Sequence, residues 1–144
     1  MVPIVVHGDA AIAGQGIVYE CLQMERLNNY TVGGTIHVVI NNQVGFTTTP
    51  DRARSSTYCS EVATAISAPI FHVNANSMDD VANTFRIAAQ YRQQFGRDVV
   101  IDLVGYRKMG HNELDQPSYT QPLMYSVVKN MVPVRNLYRQ QLLD

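Results

Sequence analysis

The stretch at residues 3–11, PIVVHGDAA, together with residues 35–45, TIHVVINNQVG, decides the interpretation of the fold. Each is a short run rich in Val and Ile that ends abruptly in Gly, Asp or Asn, a pattern typical of a buried strand followed by a turn. Two later runs share this character. We therefore predict four strands, at residues 3–7, 35–40, 70–74 and 98–106, most of them apolar on both faces.

The segments between these runs have the longer period of helices. Residues 15–27, QGIVYECLQMERL, place four side chains on one stripe of a helix that follows the first strand. The members of that stripe are Val18, Cys21, Leu22 and Glu25. Glycines at positions 14 and 16 precede it.

A longer helix is expected at residues 76–96, NSMDDVANTFRIAAQYRQQFG. Ser77 is suited to the N-cap, and Gly96 stands where a helix commonly stops. The stripe predicted to be buried consists of Val81, Phe85, Ala88 and Ala89.

Two segments are rich in loop-forming residues. Residues 47–69 begin as a loop, while CSEVATAI at 59–66 is compatible with a short helix. Residues 107–122, RKMGHNELDQPSYTQP, have no apolar period and predict a long loop of the kind that often carries function.

Strands that alternate with helices indicate an α/β fold, an open and mostly parallel sheet with crossover helices. We expect residues 1–144 to form one domain. We also expect them to be a fragment of a longer parent chain, because the first strand starts at Pro3 and NLYRQQLLD at 136–144 is typical of an interrupted helix.

Composition excludes several classes of function. With 11 basic and 12 acidic residues the net charge is −1, which gives no electrostatic footprint for nucleic acid. The chain contains no apolar run of the length of a membrane span and no Gly-Lys-Ser/Thr of a P-loop. Cys21 and Cys59 lie far apart, so neither a zinc motif nor a disulfide framework is indicated.

In open α/β sheets, ligands bind outside the carboxyl ends of the strands. Asp9 and Asn42 follow two strands that are separated by one helix, so their oxygens can meet at one point. Together with the Val44 carbonyl they would suit Mg²⁺, whose remaining positions would go to phosphate and water. Ala10 and Ala11 leave the backbone open to a diphosphate, and the two glycines at 14 and 16 would lie at the N-terminal end of the helix, where an anion is favoured. Gly-Asp and Asn-Asn are also ordinary turn sequences.

Other polar residues leave their roles open. His111 can contact a ligand, or its ring can cap Glu113 or Asp115 within the loop. The histidines at 7, 37 and 72 lie in strand patterns, which favour hydrogen-bonded core positions over ligands. Arg52 and Arg54 can be solvated, or can anchor an acidic substrate or a neighbouring subunit.

Gly8-Asp9 followed by Asn41-Asn42 resembles the signature of thiamine-diphosphate enzymes. More narrowly, six stretches resemble the decarboxylating dehydrogenase component of 2-oxoglutarate dehydrogenase complexes. They are GDAAIAGQGIVYE, VINNQVGFTT, ARSSTYC, APIFHVNA, DVVIDLVGYRKMGHNELDQP and TQPLMY, and together they span nearly the whole chain. The resemblance implies the diphosphate-binding part of the thiamine-diphosphate fold.

The resemblance also implies roles for single residues. Asp9, Asn42 and the Val44 carbonyl would bind Mg²⁺, while Ala10 and Ala11 would line the diphosphate of thiamine diphosphate. In related enzymes the loop corresponding to YRKMGHNELD closes over the cofactor. Arg107 would then bind the cofactor, and His111 would be a catalytic candidate that contacts diphosphate or substrate.

The activity implied for the parent protein is oxidative decarboxylation of 2-oxoglutarate in the citric acid cycle, with transfer of the succinyl group to a lipoyl group of a dihydrolipoyl succinyltransferase. The parent would be a homodimer, cytoplasmic in a bacterium and in the mitochondrial matrix of a eukaryote. The isolated fragment would be inactive, because the family's activating glutamate and substrate-binding histidines lie elsewhere. The same chemistry on 2-oxoadipate, a non-catalytic phosphate-binding α/β module and a purely structural interaction domain remain alternatives.

Overall fold

The computed structural model describes residues 1–143 and has four parallel strands in one open sheet. The strands are β1 Ile4–Gly8, β2 Ile36–Asn41, β3 Ile70–Asn74 and β4 Val99–Val104, in the order β1-β2-β4-β3. The helices are α1 Asp9–Gly14, α2 Gly16–Met24, α3 Pro50–Ala53, α4 Met78–Phe95, α5 Pro117–Thr120, α6 Pro122–Val128 and α7 Val134–Leu143, with a 3₁₀ helix at Cys59–Ile66. The predicted α/β fold with a parallel sheet is confirmed.

The central strands β2 and β4 carry the core. Both are covered on both faces, and Val39, Val99 and Ile101 are fully buried. On one face α1, α2 and the 3₁₀ helix pack around Val39 and Val100, and on the other α4 packs around Val99 and Ile101. This three-layer arrangement explains why the central strands read as continuous apolar runs.

The edge strand β1 differs from the expectation of burial on both faces. Ile4 is 57% exposed and Val6 is 64% exposed. Their side chains alternate with Val5 and His7, which face the layer formed by α2. The apolar composition of β1 was therefore a correct indication of a strand but a wrong indication of its burial.

The helix after β1 is divided in two. Gln15 has extended backbone angles (φ −94°, ψ 114°) and separates α1 from α2. Of the predicted stripe, Val18 and Leu22 are buried, but Cys21 is exposed and Glu25 lies beyond the end of α2. Consequently Gly14 ends α1 instead of preceding the first helix.

Helix α4 has the predicted ends. Its N-cap is Ser77, whose hydroxyl donates to the Asp80 carboxylate at 2.5 Å. Its C-cap is Gly96 in the left-handed region (φ 61°), where glycine carries no steric cost. Ala88 is fully buried, but the prediction for Ala89 is wrong, since this residue faces solvent.

The two loop segments contain more helix than expected. The short helix at 59–66 is present as a 3₁₀ helix, and α3 precedes it. The long loop ends at Gln116, after which α5 and α6 each begin with a proline, a residue suited to the first turn. The C-terminal helix is α7, and Asp144 lies outside the described residues.

Helix length and composition bear on the prediction that the chain has no membrane span. Among residues 1–143, no helix combines the length and the apolar character needed to cross a bilayer. The longest helix, α4 with 18 residues, carries Asp79 and Asp80 in its first turn and Arg92 in its last.

Burial in β4 predicts a specific loss of stability. Ile101→Ala should cost about 2–5 kcal/mol, because the side chain is fully buried between the sheet and α4. The free energy of opening, measured by hydrogen exchange of the β4 amides, reports this change. The matched control is Ile87→Ala in α4, because Ile87 is 46% exposed. This substitution should change the free energy of unfolding by no more than about 0.5 kcal/mol. Equal losses for both variants would contradict the assignment of the core.

Candidate functional site

The ends of β1 and β2 lie side by side. Gly8 pairs with Ile40 in the parallel register, and Asp9 follows Gly8 directly. Asn41 ends β2, and Asn42 follows it. Since neighbouring strands are about 4.8 Å apart, the register places Asp9 and Asn42 at one edge of the sheet.

A close contact joins the turn after β2 to the beginning of α1. A Cβ atom at Gly45 would lie 2.8 Å from the Ala10 Cβ, closer than real side chains approach. Val44, the preceding residue, is 3% exposed. Glycine at position 45 thus lets the Asn42–Val44 segment pack directly against the residue that follows Asp9.

The turn after β2 has an unusual backbone. Gln43 (φ 60°) and Phe46 (φ 52°) both lie in the left-handed region, which is uncommon for residues other than glycine. Reciprocal backbone hydrogen bonds between Gly45 and Thr48, at 2.8 and 2.9 Å, hold the turn closed. The Gln43 amide also donates to the Gly105 carbonyl at 2.8 Å, which ties the turn to the end of β4. Such conformations require support from their surroundings and are common at binding sites.

Two amide oxygens at the end of β2 have no hydrogen-bond partner within residues 1–143. They are Asn41 Oδ1 and Asn42 Oδ1, and both are buried. Asn42 lines two cavities of about 520 and 270 Å³, which share Asn76, Gly105 and Tyr106 in their walls. A buried acceptor without a donor is costly in a folded protein. An incoming cation or hydrogen-bond donor would satisfy these oxygens.

Asp9 is 3% exposed, and its environment resists ionisation. Burial raises the pKa of the Asp9 carboxyl above its ordinary value, and the Asp102 carboxylate raises it further. A backbone hydrogen bond at Ala10 and the positive charge of Arg54 act in the opposite direction. Arg54 Nη1 lies 3.9 Å from Asp9 Oδ2. A cation on this carboxylate would remove the cost of burying its charge.

The donors at this edge fit a hard divalent cation that shares a phosphate ligand. In the described part of the chain, no group of three or more His, Cys, Asp or Glu side chains could hold a metal. One carboxylate and one amide oxygen match the way Mg²⁺ binds, with the remaining oxygens coming from phosphate and water. The residues therefore suit a cation that arrives with a diphosphate, not an all-protein metal site.

The loop after β4 is attached to the turn after β2. Arg107 Nη2 donates to the Phe46 carbonyl at 2.7 Å, while its Nε is buried without a partner among the described residues. The His111 ring lies 4.9 Å from the Phe46 ring. The His111 backbone N–H, and not its ring, contacts Asp115, at 2.9 Å. The structure thus brings Arg107 and His111 together at the turn that carries Asn42 and Val44.

The three strand histidines make the hydrogen bonds expected of scaffold residues. His7 Nε2 lies 2.9 Å from His37 Nδ1, and His37 Nε2 lies 3.2 Å from Asp98 Oδ2. Burial, followed by the charge of His37, lowers the pKa of His7. His72 Nδ1 lies 2.7 Å from Asp102 Oδ2, but its side chain is 35% exposed and lines the larger of the Asn42 cavities.

Two residues near the site were not identified as site residues from the sequence. Asp102 is fully buried on β4, where an Asp inside the apolar run VVIDLV was an available signal. Arg54 is 11% exposed in its side chain, in contrast to Arg52 at 84%. No local pattern distinguishes these two arginines, because the burial of Arg54 depends on its contact with Asp9.

The chain matches the family described as dehydrogenase E1 component over residues 1–144. It is 52% identical over 137 residues to 2-oxoglutarate dehydrogenase, mitochondrial, of Dictyostelium discoideum, covering 95% of this chain. It is 54% identical over 141 residues to the protein of the same name from Saccharomyces cerevisiae, covering 98% of this chain. The 2-oxoglutarate dehydrogenase-like, mitochondrial protein of Rattus norvegicus is 54% identical over 140 residues, covering 97%. The chain spans 14% of the length of each of these relatives.

The two cysteines should differ sharply in reactivity. Burial raises the pKa of the Cys59 thiol to about 12, and the Asp102 carboxylate adds to that effect. Because only the thiolate reacts, iodoacetamide at pH 8 should modify the exposed Cys21 and leave Cys59 unmodified. Peptide mass spectrometry measures both, and denatured protein, in which both should react, is the control. Rapid native alkylation of Cys59 would contradict its placement beneath Asp102.

Proposed function

This chain belongs to the dehydrogenase E1 component family, and on that basis we propose that it is the diphosphate- and magnesium-binding part of a 2-oxoglutarate dehydrogenase that uses thiamine diphosphate. The observation that carries the proposal is the edge formed by β1 and β2. There the buried Asp9 carboxylate and the Asn42 amide oxygen, which has no partner among residues 1–143, follow adjacent parallel strands. The family relationship specifies which diphosphate this edge would accept.

Each predicted site residue has a role in this proposal. Asp9, Asn42 and the Val44 carbonyl hold Mg²⁺, which neutralises the diphosphate and leaves room for water. Ala10 and Ala11 line the diphosphate with small side chains. The contact between Ala10 and Gly45 supports this arrangement, because it keeps the Val44 backbone next to α1.

Arg107 and His111 act from the loop after β4. Arg107 has a buried Nε without a partner in the described residues, so it retains a donor for a phosphate oxygen. His111, whose ring is tilted against the Phe46 ring, would contact diphosphate or substrate once the loop has closed. Bound thiamine diphosphate would supply the electron sink for decarboxylation, whereas these residues bind it, orient it and exclude water.

The parent protein would act on 2-oxoglutarate and transfer the succinyl group to a lipoyl group of dihydrolipoyl succinyltransferase. The names of the relatives support the substrate, and their designation as mitochondrial supports the matrix for a eukaryotic parent. For a bacterial parent we propose the cytoplasm. A homodimer of the parent chain is part of the same proposal. Two results would contradict this proposal. One is activity on 2-oxoadipate in place of 2-oxoglutarate in a substrate assay. The other is binding of a different phosphate ligand, and not of thiamine diphosphate, in a ligand assay.

Removal of the Asp9 carboxylate should abolish cofactor binding without unfolding the protein. In the full-length parent, Asp9→Ala should lose about 2–5 kcal/mol of Mg²⁺-dependent binding free energy for thiamine diphosphate, because a buried charged partner is removed. Calorimetry measures the loss, and a cooperative melt shows that the fold persists. Asp51→Ala, whose side chain is 73% exposed, is the matched control and should bind normally. Normal binding by Asp9→Ala would refute the metal assignment.

The loop after β4 should become ordered when the cofactor binds. Residues 107–116 bury little apolar surface, so their amides should exchange quickly in the free full-length protein. With thiamine diphosphate and Mg²⁺, charge-assisted hydrogen bonds from Arg107 and His111 should slow that exchange. The amides of residues 99–103 in β4 should stay equally protected in both states. Identical exchange of the loop with and without the cofactor would leave His111 as a scaffold residue only.

A further inference from the structure

Asp9 is closed off from solvent in this structure. Its carboxylate side chain is 5% exposed, and Asp9 lines neither of the two cavities that Asn42 lines. Arg54, whose side chain is 11% exposed, is the cation paired with it. A metal ion from solvent therefore reaches Asp9 only if a neighbouring group moves.

Arg54 is paired with Asp9 by charge and not by a hydrogen bond. The 3.9 Å between Arg54 Nη1 and Asp9 Oδ2 exceeds the 2.7–2.9 Å typical of an arginine hydrogen-bonded to a carboxylate. Arg54 Nε is buried and has no hydrogen-bond partner within residues 1–143. A buried guanidinium with an unsatisfied Nε donor is costly, so Arg54 is held at this position weakly. The Asp9 carboxylate accepts a backbone hydrogen bond at Ala10 and none from Arg54.

The backbone around Arg54 permits movement. Arg54 follows the four-residue helix α3 in an extended conformation (φ −152°, ψ 154°). Its N–H donates to the Pro50 carbonyl at 3.2 Å, and the next four residues form bends without helix or strand. Withdrawal of the side chain would not require any part of the sheet to unfold.

We propose that Arg54 is an internal counter-ion of Asp9 that competes with the divalent cation for this carboxylate and moves away when the cation binds. This inference rests on the proposed function in one respect, namely that Asp9 is a ligand of the cation. It assigns a role to Arg54 that neither a solvated arginine nor a subunit anchor would have. Two cations compete for one buried carboxylate, so the affinity for the metal is set partly by Arg54.

Competition between Arg54 and the cation predicts the direction in which the affinity for the cation changes when Arg54 is replaced. Removing the charge in Arg54→Gln should tighten binding of a divalent cation about tenfold, because the cation no longer displaces a guanidinium or experiences its repulsion. Arg54→Lys retains the charge and should bind the cation much as the unmodified protein does. Arg52→Gln, two positions earlier and 84% exposed, is the matched control and should have no effect.

The experiment uses full-length protein and Mn²⁺ alone, with free Mn²⁺ measured by electron paramagnetic resonance. Mn²⁺ prefers the same oxygen ligands as Mg²⁺. Tighter Mn²⁺ binding by Arg54→Gln, but not by Arg52→Gln, would support the displacement of Arg54 by the cation. Unchanged or weaker binding by Arg54→Gln would overturn it.

Amide hydrogen exchange on the unmodified full-length protein tests the displacement of Arg54 without any variant. It therefore applies even if Arg54→Gln does not fold. Mg²⁺ alone should speed exchange of the Arg54–Ser56 amides as Arg54 is released, and should slow exchange at Asp9–Ala11. Unchanged or slower exchange at Arg54–Ser56 would overturn the inference. If the proposed function itself is wrong, the result is different: Asp9→Ala would then keep its Mg²⁺-dependent binding of thiamine diphosphate.

Discussion

Parallel pairing of β2 with both β1 and β4 is the constraint on which the rest of the structure depends. Ile4 of β1 pairs with Ile36 of β2, which in turn pairs with Val99 of β4. This register aligns the carboxyl ends of the three strands along one edge of the sheet. Parallel strands need crossover connections, and these helices bury the central strands on both faces. Polar residues that follow the strands are therefore collected at a single edge, while the chain between them forms the layers that stabilise it.

The candidate site is less favourable in free energy than the core beneath it. Gln43 and Phe46 adopt left-handed backbone conformations, Asn42 Oδ1 has no partner in the described residues, and Asp9 is buried in a setting that raises its pKa. Features of this kind persist only where the surrounding structure holds them. The largely buried strands β2 and β4 provide that support. A ligand that brings a cation and phosphate oxygens would relieve several of these costs together.

Two hydrogen-bond networks lie within the sheet. Asp98, which precedes β4, contacts His37 near the start of β2, and His37 contacts His7 near the carboxyl end of β1. The Thr35 N–H also donates to Asp98 at 2.7 Å. In the second network Asp102, which the register aligns with Val39, contacts His72 and lies close to Cys59. The first network is internally paired and acts as scaffold. The second lies beneath Asp9 and Arg54, so it contributes to the electrostatic setting of the site.

Residue order by itself determined the strands, because short runs rich in Val and Ile that are bounded by turn residues favour buried parallel strands over helices. It also determined both ends of α4, through Ser77 and Gly96, and it placed Asp9 and Asn42 after neighbouring strands. These features depend on local chemistry. They could be predicted to within about two residues at the strand ends, as a comparison of residues 98–106 with Val99–Val104 shows.

Only the tertiary structure decided which apolar surfaces are covered. Periodicity identifies a stripe on a helix or strand but not the layer that packs on it. Ala89 and the outer face of β1 were therefore assigned to the interior and lie at the surface, and Cys21 is exposed although it shares a stripe with the buried Val18 and Leu22. Arg54 illustrates the same limit at the site. Its sequence neighbours are those of a surface loop, and its burial follows from a charge on Asp9 that is distant along the chain and close in space.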